Sequence, residues 1–148
     1  MSDKSVAADS TQALKLKATD FASLDVVSTL THDSIFYTTS IDYSDQNFKI
    51  LINRFRWEDA IQAISVQHPE HFTREHAILS FYNITKVDMF NIKSTVKPLV
   101  LMAIHASENE INLSLAFQQH ITLYCKEILV YCESAPKQWY THNIHVAG

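Results

Sequence analysis

The sequence predicts an α+β protein: an antiparallel β-sheet of about six or seven strands, twisted or partly closed like a barrel, with one N-terminal helix packed on it. Apolar and polar residues alternate along most of the chain, which is typical of strands with one buried face. Short polar segments separate these stretches, and short connections join antiparallel neighbours. Helical spacing of apolar residues occurs in one stretch near the N-terminus, which gives the single helix.

The N-terminal part of the predicted domain contains a short strand followed by the helix. Leu14 and Leu16 alternate with lysines, as in a strand. We expect the helix to begin at Thr19 or Asp20, because either side chain can accept a hydrogen bond from an amide of the first turn. Its apolar residues form one stripe that should pack on the sheet: Phe21, Leu24, Val27 and Leu30.

Six longer strands are expected after the helix. They are residues 35–43, 48–57, 77–91, 99–106, 111–117 and 121–133. The third changes the face of its apolar residues, which predicts a bulge near Tyr82–Asn83. Since Gly148 is the only glycine, turns that need a positive φ must use asparagine or aspartate, and Asn47 and Asn109 are the expected positions.

The composition is that of one globular domain. The 148 residues are 47% apolar and 19% charged, with a net charge of −4, which fits a single core. We expect a mobile polar tail over residues 1–12, the domain over residues 13–140 and a C-terminal tail over residues 141–148. Sixteen acidic against twelve basic side chains argue against nucleic acid as a partner. No apolar stretch reaches the ~20 residues of a membrane span and no signal-peptide pattern is present, so we expect a cytoplasmic protein without a membrane partner.

The lack of glycine excludes several classes of site. A phosphate-binding loop, a dinucleotide-binding turn and a nucleophile elbow each place glycine where the backbone approaches a ligand or adopts a positive φ. None of them can be built from a chain whose one glycine is its last residue. We therefore predict no cofactor.

The second of the longer strands ends in the candidate binding site. Its residues are Asn53, Arg54, Arg56 and Glu58. Alternation places Phe55 and Trp57 on one face of the strand, which we expect to be the core face, and the two arginines on the other face, about 7 Å apart. Like charges at this spacing repel each other, so opposite charge must lie close by. Two sources are open: an anionic ligand or acidic partner surface, or acidic side chains of neighbouring strands.

A histidine-rich segment has the residue types of a zinc site. It contains His68, Glu70, His71, Glu75 and His76. Imidazole and carboxylate are suitable zinc ligands, but the spacing matches no known template and no cysteine lies nearby. We therefore predict no metal site.

The two cysteines are expected to be free thiols. Cys125 and Cys132 lie seven residues apart along one predicted strand, so their Cα atoms would be over about 20 Å apart, whereas a disulfide needs about 5.5 Å. A hairpin turn near Lys126–Glu127 is the one arrangement that would bring them together. A nucleophilic pair with His105 or His120 would need a reactive thiolate, but Cys125 alternates with core residues, where burial raises the pKa of a thiol. No catalytic residue is predicted.

The string Asn-Arg-Phe-Arg-Trp-Glu at residues 53–58 resembles a signature of an alphaproteobacterial family of about this length, known as a domain of unknown function. The resemblance extends to the opening residues 14–18, to residues 74–87 and to the closing residues 136–139. It covers about residues 14–139. The family implies a shape and a signature, but no activity and no catalytic residues.

The function that these observations favour is that of a cytosolic, non-enzymatic interaction or adaptor module. We expect a protein partner or a homodimer, with a contact surface that includes Arg54 and Arg56. The alternative is a small-ligand-binding or enzymatic domain that uses the concave face of the sheet, with the two arginines holding an anionic group. A deep, polar-lined cavity in the structure would favour the alternative, because the interaction module does not need one.

Overall fold

The computed structural model describes residues 13–59, 73–93 and 97–136. Over these ranges the chain forms ten strands, one α-helix and one 3-10 turn. In order they are β1 Lys15–Ala18, α1 Phe21–Leu30, β2 Ser34–Phe36, the 3-10 turn Thr38–Ser40, β3 Ile41–Ser44, β4 Asn47–Phe55, β5 Arg74–Phe81, β6 Lys86–Phe90, β7 Leu99–Ser107, β8 Glu110–Leu115, β9 Gln119–Tyr124 and β10 Val130–Ser134. Residues 57–59 are also helical. The expected tails, residues 1–12 and 141–148, lie outside the described residues.

The expected α+β class with six or seven strands is wrong. Within the described ranges the protein is mostly β, with ten antiparallel strands in one sheet and α1 as the one complete α-helix. Three of the seven predicted strands each divide in two. The stretch 35–43 is divided by the 3-10 turn, the stretch 77–91 by a turn at Asn83, whose φ is 60°, and the stretch 121–133 by residues 125–129. Alternation continues across the first break and does not reveal it. The change of face near Tyr82–Asn83 marks the second break, which is a turn between β5 and β6 where a bulge within one strand was expected.

The strand order requires the sheet to curl. The order is β1-β10-β5-β4-β2-β7-β8-β9-β6, and β3 pairs with the part of β4 that β2 leaves free. β5 and β6 are six positions apart in this order, which is about 29 Å across a flat sheet. The five residue steps from Phe81 to Lys86 span at most about 18 Å. The sheet therefore bends until β6 approaches the end of β5.

The hydrophobic core lies on the inner face of the curled sheet, and α1 packs against it. Leu24 and Val27 of α1 are fully buried, but Phe21 is 59% exposed, so the packed stripe is narrower than predicted. The N-cap of the helix is Asp20, one of the two expected residues. The Asp20 carboxylate accepts a hydrogen bond from the Ser23 amide at 2.8 Å, and the Ser23 hydroxyl accepts one from the Asp20 amide at 3.2 Å, which together form a capping box. No helix among the described residues is long and apolar enough to cross a membrane.

The tight turns use left-handed backbone conformations without glycine. Eight described residues have a positive φ: Asp33, Asp45, Gln46, Asn83, Asn91, Asn109, Phe117 and Gln118. Asn109 was expected among them, whereas the β3–β4 turn uses Asp45 and Gln46 in place of Asn47. Most are asparagine or aspartate, which tolerate this conformation. Gln46, Phe117 and Gln118 are the exceptions, and Phe117 is the bulky aromatic one among them, with a φ of 64° and a side chain that is 84% exposed.

Replacing Phe117 with asparagine should stabilise the protein. Relief of the left-handed strain is worth about 1 kcal/mol, and the largely exposed ring contributes little buried area to offset it. We expect the melting temperature to rise by about 2–4 °C, as measured by differential scanning calorimetry. Ala116→Asn at the preceding position is the matched control and should give no rise. An unchanged or lower melting temperature for Phe117→Asn would contradict the assignment of strain.

Candidate functional site

The candidate residue Arg54 lies inside the protein. Side chains of β4 alternate as predicted, but the face that carries Arg54 is the inner one, shared with Phe48, Ile50 and Ile52. The Arg54 side chain is 0% exposed. The expectation that the opposite face, with Phe55 and Trp57, forms the core was therefore wrong at this end of the strand. Leu51 on that opposite face is also buried. Because both faces of β4 carry apolar residues, the sequence does not show which face is the inner one.

Arg54 is bound by two carboxylates and a helix terminus. Glu75 lies directly opposite it on β5, and Arg54 Nη1 donates to Glu75 Oε2 at 2.6 Å. Both terminal nitrogens also donate to the Glu58 carboxylate, Nη1 at 3.1 Å and Nη2 in a shorter contact. Arg54 Nε donates to the backbone carbonyl of Leu30 at 3.0 Å. That carbonyl belongs to the last residue of α1, where a cation interacts favourably with the helix dipole.

Arg56 is held by the same group of acids. Its Nε donates to Asp59 Oδ2 at 2.6 Å, and its Nη1 donates to Glu75 Oε1 at 2.9 Å. Glu75 therefore bridges the two arginines with its two oxygens. We call Arg54, Arg56, Glu58, Asp59 and Glu75 the ion cluster. With two cations and three anions, the cluster supplies internally the negative charge that the sequence required.

The ion cluster also connects the strands at one edge of the sheet. The Ser134 hydroxyl on β10 lies 3.0 Å from each oxygen of Glu75. The same hydroxyl accepts a hydrogen bond from the Leu14 amide at 2.8 Å, next to β1. β4, β5, β10, the residue before β1 and the end of α1 therefore meet at the ion cluster.

The electrostatics of the two arginines reflect this pairing. Burial acts most strongly on Arg54 and would lower its pKa, but hydrogen bonds and charge attraction from Glu58 and Glu75 raise it overall. The hydrogen bonds from Arg56 to Asp59 raise the pKa of Arg56, against a lowering by burial. Both side chains are cations at all physiological pH values. A buried cation with its partners in place is tolerated, but removal of the partners leaves a costly unpaired charge.

Asn53 lies apart from the ion cluster. Its side-chain oxygen accepts a hydrogen bond from Arg74 Nε at 3.0 Å, and Arg74 also donates to the Asp33 carbonyl at 2.8 Å. Trp57 donates from Nε1 to the His32 carbonyl at 2.9 Å, and its ring meets Phe55 edge-on with centroids 4.6 Å apart. These contacts fix the chain that follows α1 to the end of β4.

Sequence reasoning missed three members of the charged network: Asp59, Glu75 and Ser134. Glu75 was considered only as a metal ligand in the histidine-rich segment, of which His68, Glu70 and His71 lie outside the described residues. The described residues contain no group of three or more side chains suited to hold a metal ion. The signal that could have found Glu75 is its place near the start of the strand after β4, where an antiparallel pair would set an acid against an arginine.

Both cysteines are free and buried, as expected for free thiols. Burial raises the pKa of Cys125. Burial also raises the pKa of Cys132 to about 12, although the charge of Arg54 acts to lower it. His120, considered as a nucleophile's partner, stacks on Phe90 with centroids 4.7 Å apart. The arrangement is that of core thiols and not of activated nucleophiles.

An open cavity of about 680 Å³ lies at the other end of α1. Residues that line it include Asp20, Phe21, Asn83, Asn109, Lys126 and Leu129. Phe21 and Leu30 are the first and last residues of the helix, about 14 Å apart along its axis. Because Arg54 is bound at Leu30, neither arginine of the ion cluster lines this cavity.

The family of the chain follows from its sequence match. The family described as protein of unknown function (DUF2948) matches residues 14–144. The chain belongs to this family. The DUF2948 match includes every residue of the ion cluster and agrees with the extent of the resemblance found in the sequence. No curated protein and no solved structure matches this DUF2948 chain.

Removal of Arg54 should destabilise the protein strongly. We expect Arg54→Ala to lower the free energy of unfolding by about 3–5 kcal/mol, because it leaves Glu58 and Glu75 partly buried without their main partner. Arg54→Lys should recover only part of this, because an ammonium cannot reproduce the planar fork. Chemical denaturation is the measurement, and exposed Lys15→Ala is the control, expected within about 0.5 kcal/mol of the wild type. If the Arg54→Ala/Arg56→Ala variant is as stable as the wild type, the two arginines do not stabilise the fold and this prediction is wrong.

Cys132 should be unreactive in the folded protein. At pH 8 a disulfide-forming thiol reagent should modify it only as fast as the protein unfolds, whereas both cysteines should react at once in denaturant. The pKa of Cys132 in the folded protein, about 12, lies above the ~8.5 of a free thiol. The contribution of this thiol to the free energy of unfolding is therefore fully present below about pH 8.5 and is lost as the pH rises towards the folded-state pKa. In the Cys132→Ala variant only Cys125 can react with the reagent, so this variant shows which part of the wild-type reaction belongs to Cys125. Rapid modification of native Cys132 would contradict the burial.

Proposed function

We propose that this DUF2948 protein is a non-enzymatic interaction module that binds a protein partner through one exposed edge of its sheet. The surface comprises Met89 and Phe90 at the end of β6 and Phe117 in the β8–β9 turn, and we call it the β6 patch. The observation that carries the proposal is Phe117, an aromatic ring that is both strained in its backbone and exposed.

The three residues of the β6 patch are large, apolar and exposed. Their exposed fractions are 42% for Met89, 57% for Phe90 and 84% for Phe117. They lie close together, because Asn91 donates from Nδ2 to the Gln118 carbonyl at 3.4 Å and Gln119 donates from Nε2 to the Asn91 carbonyl at 3.2 Å. Clustered exposed apolar side chains mark interaction surfaces more often than single ones do.

Phe117 carries two local costs that nothing within the described fold offsets. Its φ of 64° strains the backbone, and its ring is exposed to water. Asparagine or glycine at this turn would avoid both costs. Residues held in unfavourable conformations concentrate at functional sites, and exposed aromatic rings are favoured anchors at protein interfaces.

The ion cluster supports an internal role for Arg54 and Arg56. Arg54 is completely buried and both arginines bind carboxylates of the same chain. The contact surface expected at Asn53, Arg54, Arg56 and Glu58 remains a prediction, as does the alternative of a ligand-binding or enzymatic domain. The open cavity does not support the part of that alternative in which Arg54 and Arg56 hold an anionic group, because neither arginine lines it. The alphaproteobacterial range, the signature at residues 53–58 and the cytosolic location also remain predictions.

Substitution of the β6 patch should abolish partner binding without loss of the fold. We expect Phe90→Ser/Phe117→Ser to lose the proteins that a tagged wild-type chain captures from its native cells, as measured by quantitative mass spectrometry after cross-linking. Phe21→Ser is the matched control, because Phe21 is 59% exposed but lies on α1, away from the patch. Circular dichroism and the melting temperature check that each variant is folded.

Two results would overturn this function. One is capture of the same proteins at wild-type levels by the folded Phe90→Ser/Phe117→Ser variant. The other is loss of capture by the control Phe21→Ser as well, which would move the contact to α1. Loss of capture only by Arg54→Ala/Arg56→Ala, with the fold retained, would favour the site expected from the sequence.

A further inference from the structure

The two edges of the sheet carry different charge patterns. At one edge β1 presents Lys15 and Lys17, two like charges separated by one residue. At the other edge β6 presents Lys86 and Asp88, two opposite charges with the same separation. These side chains are 66% and 50% exposed, and within one chain Lys86 Nζ lies 3.9 Å from Asp88 Oδ2. Like charges along an edge strand repel a second copy of the same strand, whereas the mixed charges of β6 can be set against each other.

No strand of the described residues pairs with the second edge of β6. β6 ends the strand order and pairs only with β9 among the strands of the described ranges. Every other residue of an edge strand directs its amide and carbonyl away from the sheet. An extended strand of another chain can accept these hydrogen bonds and continue the sheet.

In one register the charges of β6 attract those of a second copy. A twofold axis perpendicular to the sheet makes the strands antiparallel and passes midway between the two copies of one residue, which then lie opposite each other. An axis at Lys86 or at Asp88 would place that residue opposite its own copy, which sets like charges together. An axis at Val87 places Lys86 of each copy opposite Asp88 of the other. The sequence of β6 is therefore self-complementary about Val87.

We infer that the partner of this protein is a second copy of the same chain, bound by antiparallel pairing of the two β6 strands about Val87. The inference rests on the proposed interaction function and names its partner. Two Lys86–Asp88 pairs set the register, and the backbone ladder joins the two sheets into one. The apolar residues Met89 and Phe90 lie at the ends of this ladder and add buried area on both sides of the axis.

A charge exchange tests the register directly. K86E gives each copy two acidic side chains at these positions, and D88K gives each copy two lysines, so each variant alone should dimerise at least about tenfold more weakly than the wild type. An equimolar mixture of K86E and D88K should recover association as a heterodimer, because every opposite pair then has opposite charge. The double variant K86E/D88K should recover the homodimer. Sedimentation equilibrium and native mass spectrometry measure these states.

Matched controls use exposed charges away from β6. K15E on β1 and D25K on α1 make the same changes in exposed residues and should leave association at the wild-type level. A second measurement avoids dependence on the charge variants: Val87→Cys should give a disulfide-linked dimer on mild oxidation, because residues on the axis lie directly opposite each other. Met89→Cys should give no disulfide-linked dimer, because residue 89 of one copy lies several residues along the strand from residue 89 of the other.

Each outcome decides the inference. A wild-type chain that stays monomeric at all accessible concentrations overturns the self-pairing, and the proposed function then stands on the capture experiment alone. A wild-type dimer that is unaffected by K86E and D88K, and that Val87→Cys does not cross-link, overturns the β6 interface. Capture of a different protein by the β6 patch, with no second copy present, supports the proposed function and overturns the inference.

Discussion

The buried guanidinium of Arg54 is the constraint on which the surrounding structure depends. A cation removed from water costs several kcal/mol unless its partners are in place. Its partners come from β5, from the helical residues 57–59 and from the last turn of α1. A shift of β5 by one residue would turn Glu75 to the other face of the sheet and leave the charge unpaired. The register of the central strands and the position of the helix are therefore fixed together.

The local features of this fold could be read from the sequence, and the long-range ones could not. The start of α1 at Asp20 and the left-handed turn at Asn109 depend on one or two side chains, so residue type was sufficient. The inner face of β4 was not readable, because Leu51 and Ile50 are both buried and lie on opposite faces. The number of strands was underestimated because alternation continues from β2 to β3, and because the change of face near Tyr82–Asn83 fits a bulge within one strand as well as a turn between two. Of the candidate site, the arginines and Glu58 were found. The contact of Glu75 with Arg54 depends on the register between β4 and β5, which neither strand specifies by its own sequence.

A chain with almost no glycine must place ordinary residues in left-handed conformations. At most of the eight positions the side chain is asparagine or aspartate, for which the cost is small. Phe117 departs from this pattern and lies beside the β6 edge of the sheet. Its strained backbone and exposed ring are therefore part of the proposed interaction surface, the β6 patch. Where a local rule is broken without a gain inside the monomer, the gain is expected outside it. The ion cluster is the contrasting case, because its costly burial is offset by contacts within the same chain.

The pairing of β1 with β10 has a consequence for synthesis of the protein. Lys15 lies opposite Glu133, so one of the first strands to leave the ribosome pairs with the last described strand. β1 must therefore wait without its ladder partner while more than a hundred residues are added. The same delay applies to Ser134, which completes the contacts of Glu75. Folding of the nascent chain is thus expected to finish only after translation of β10. Until then β1 is unpaired, and the like charges of Lys15 and Lys17 disfavour its pairing with another chain.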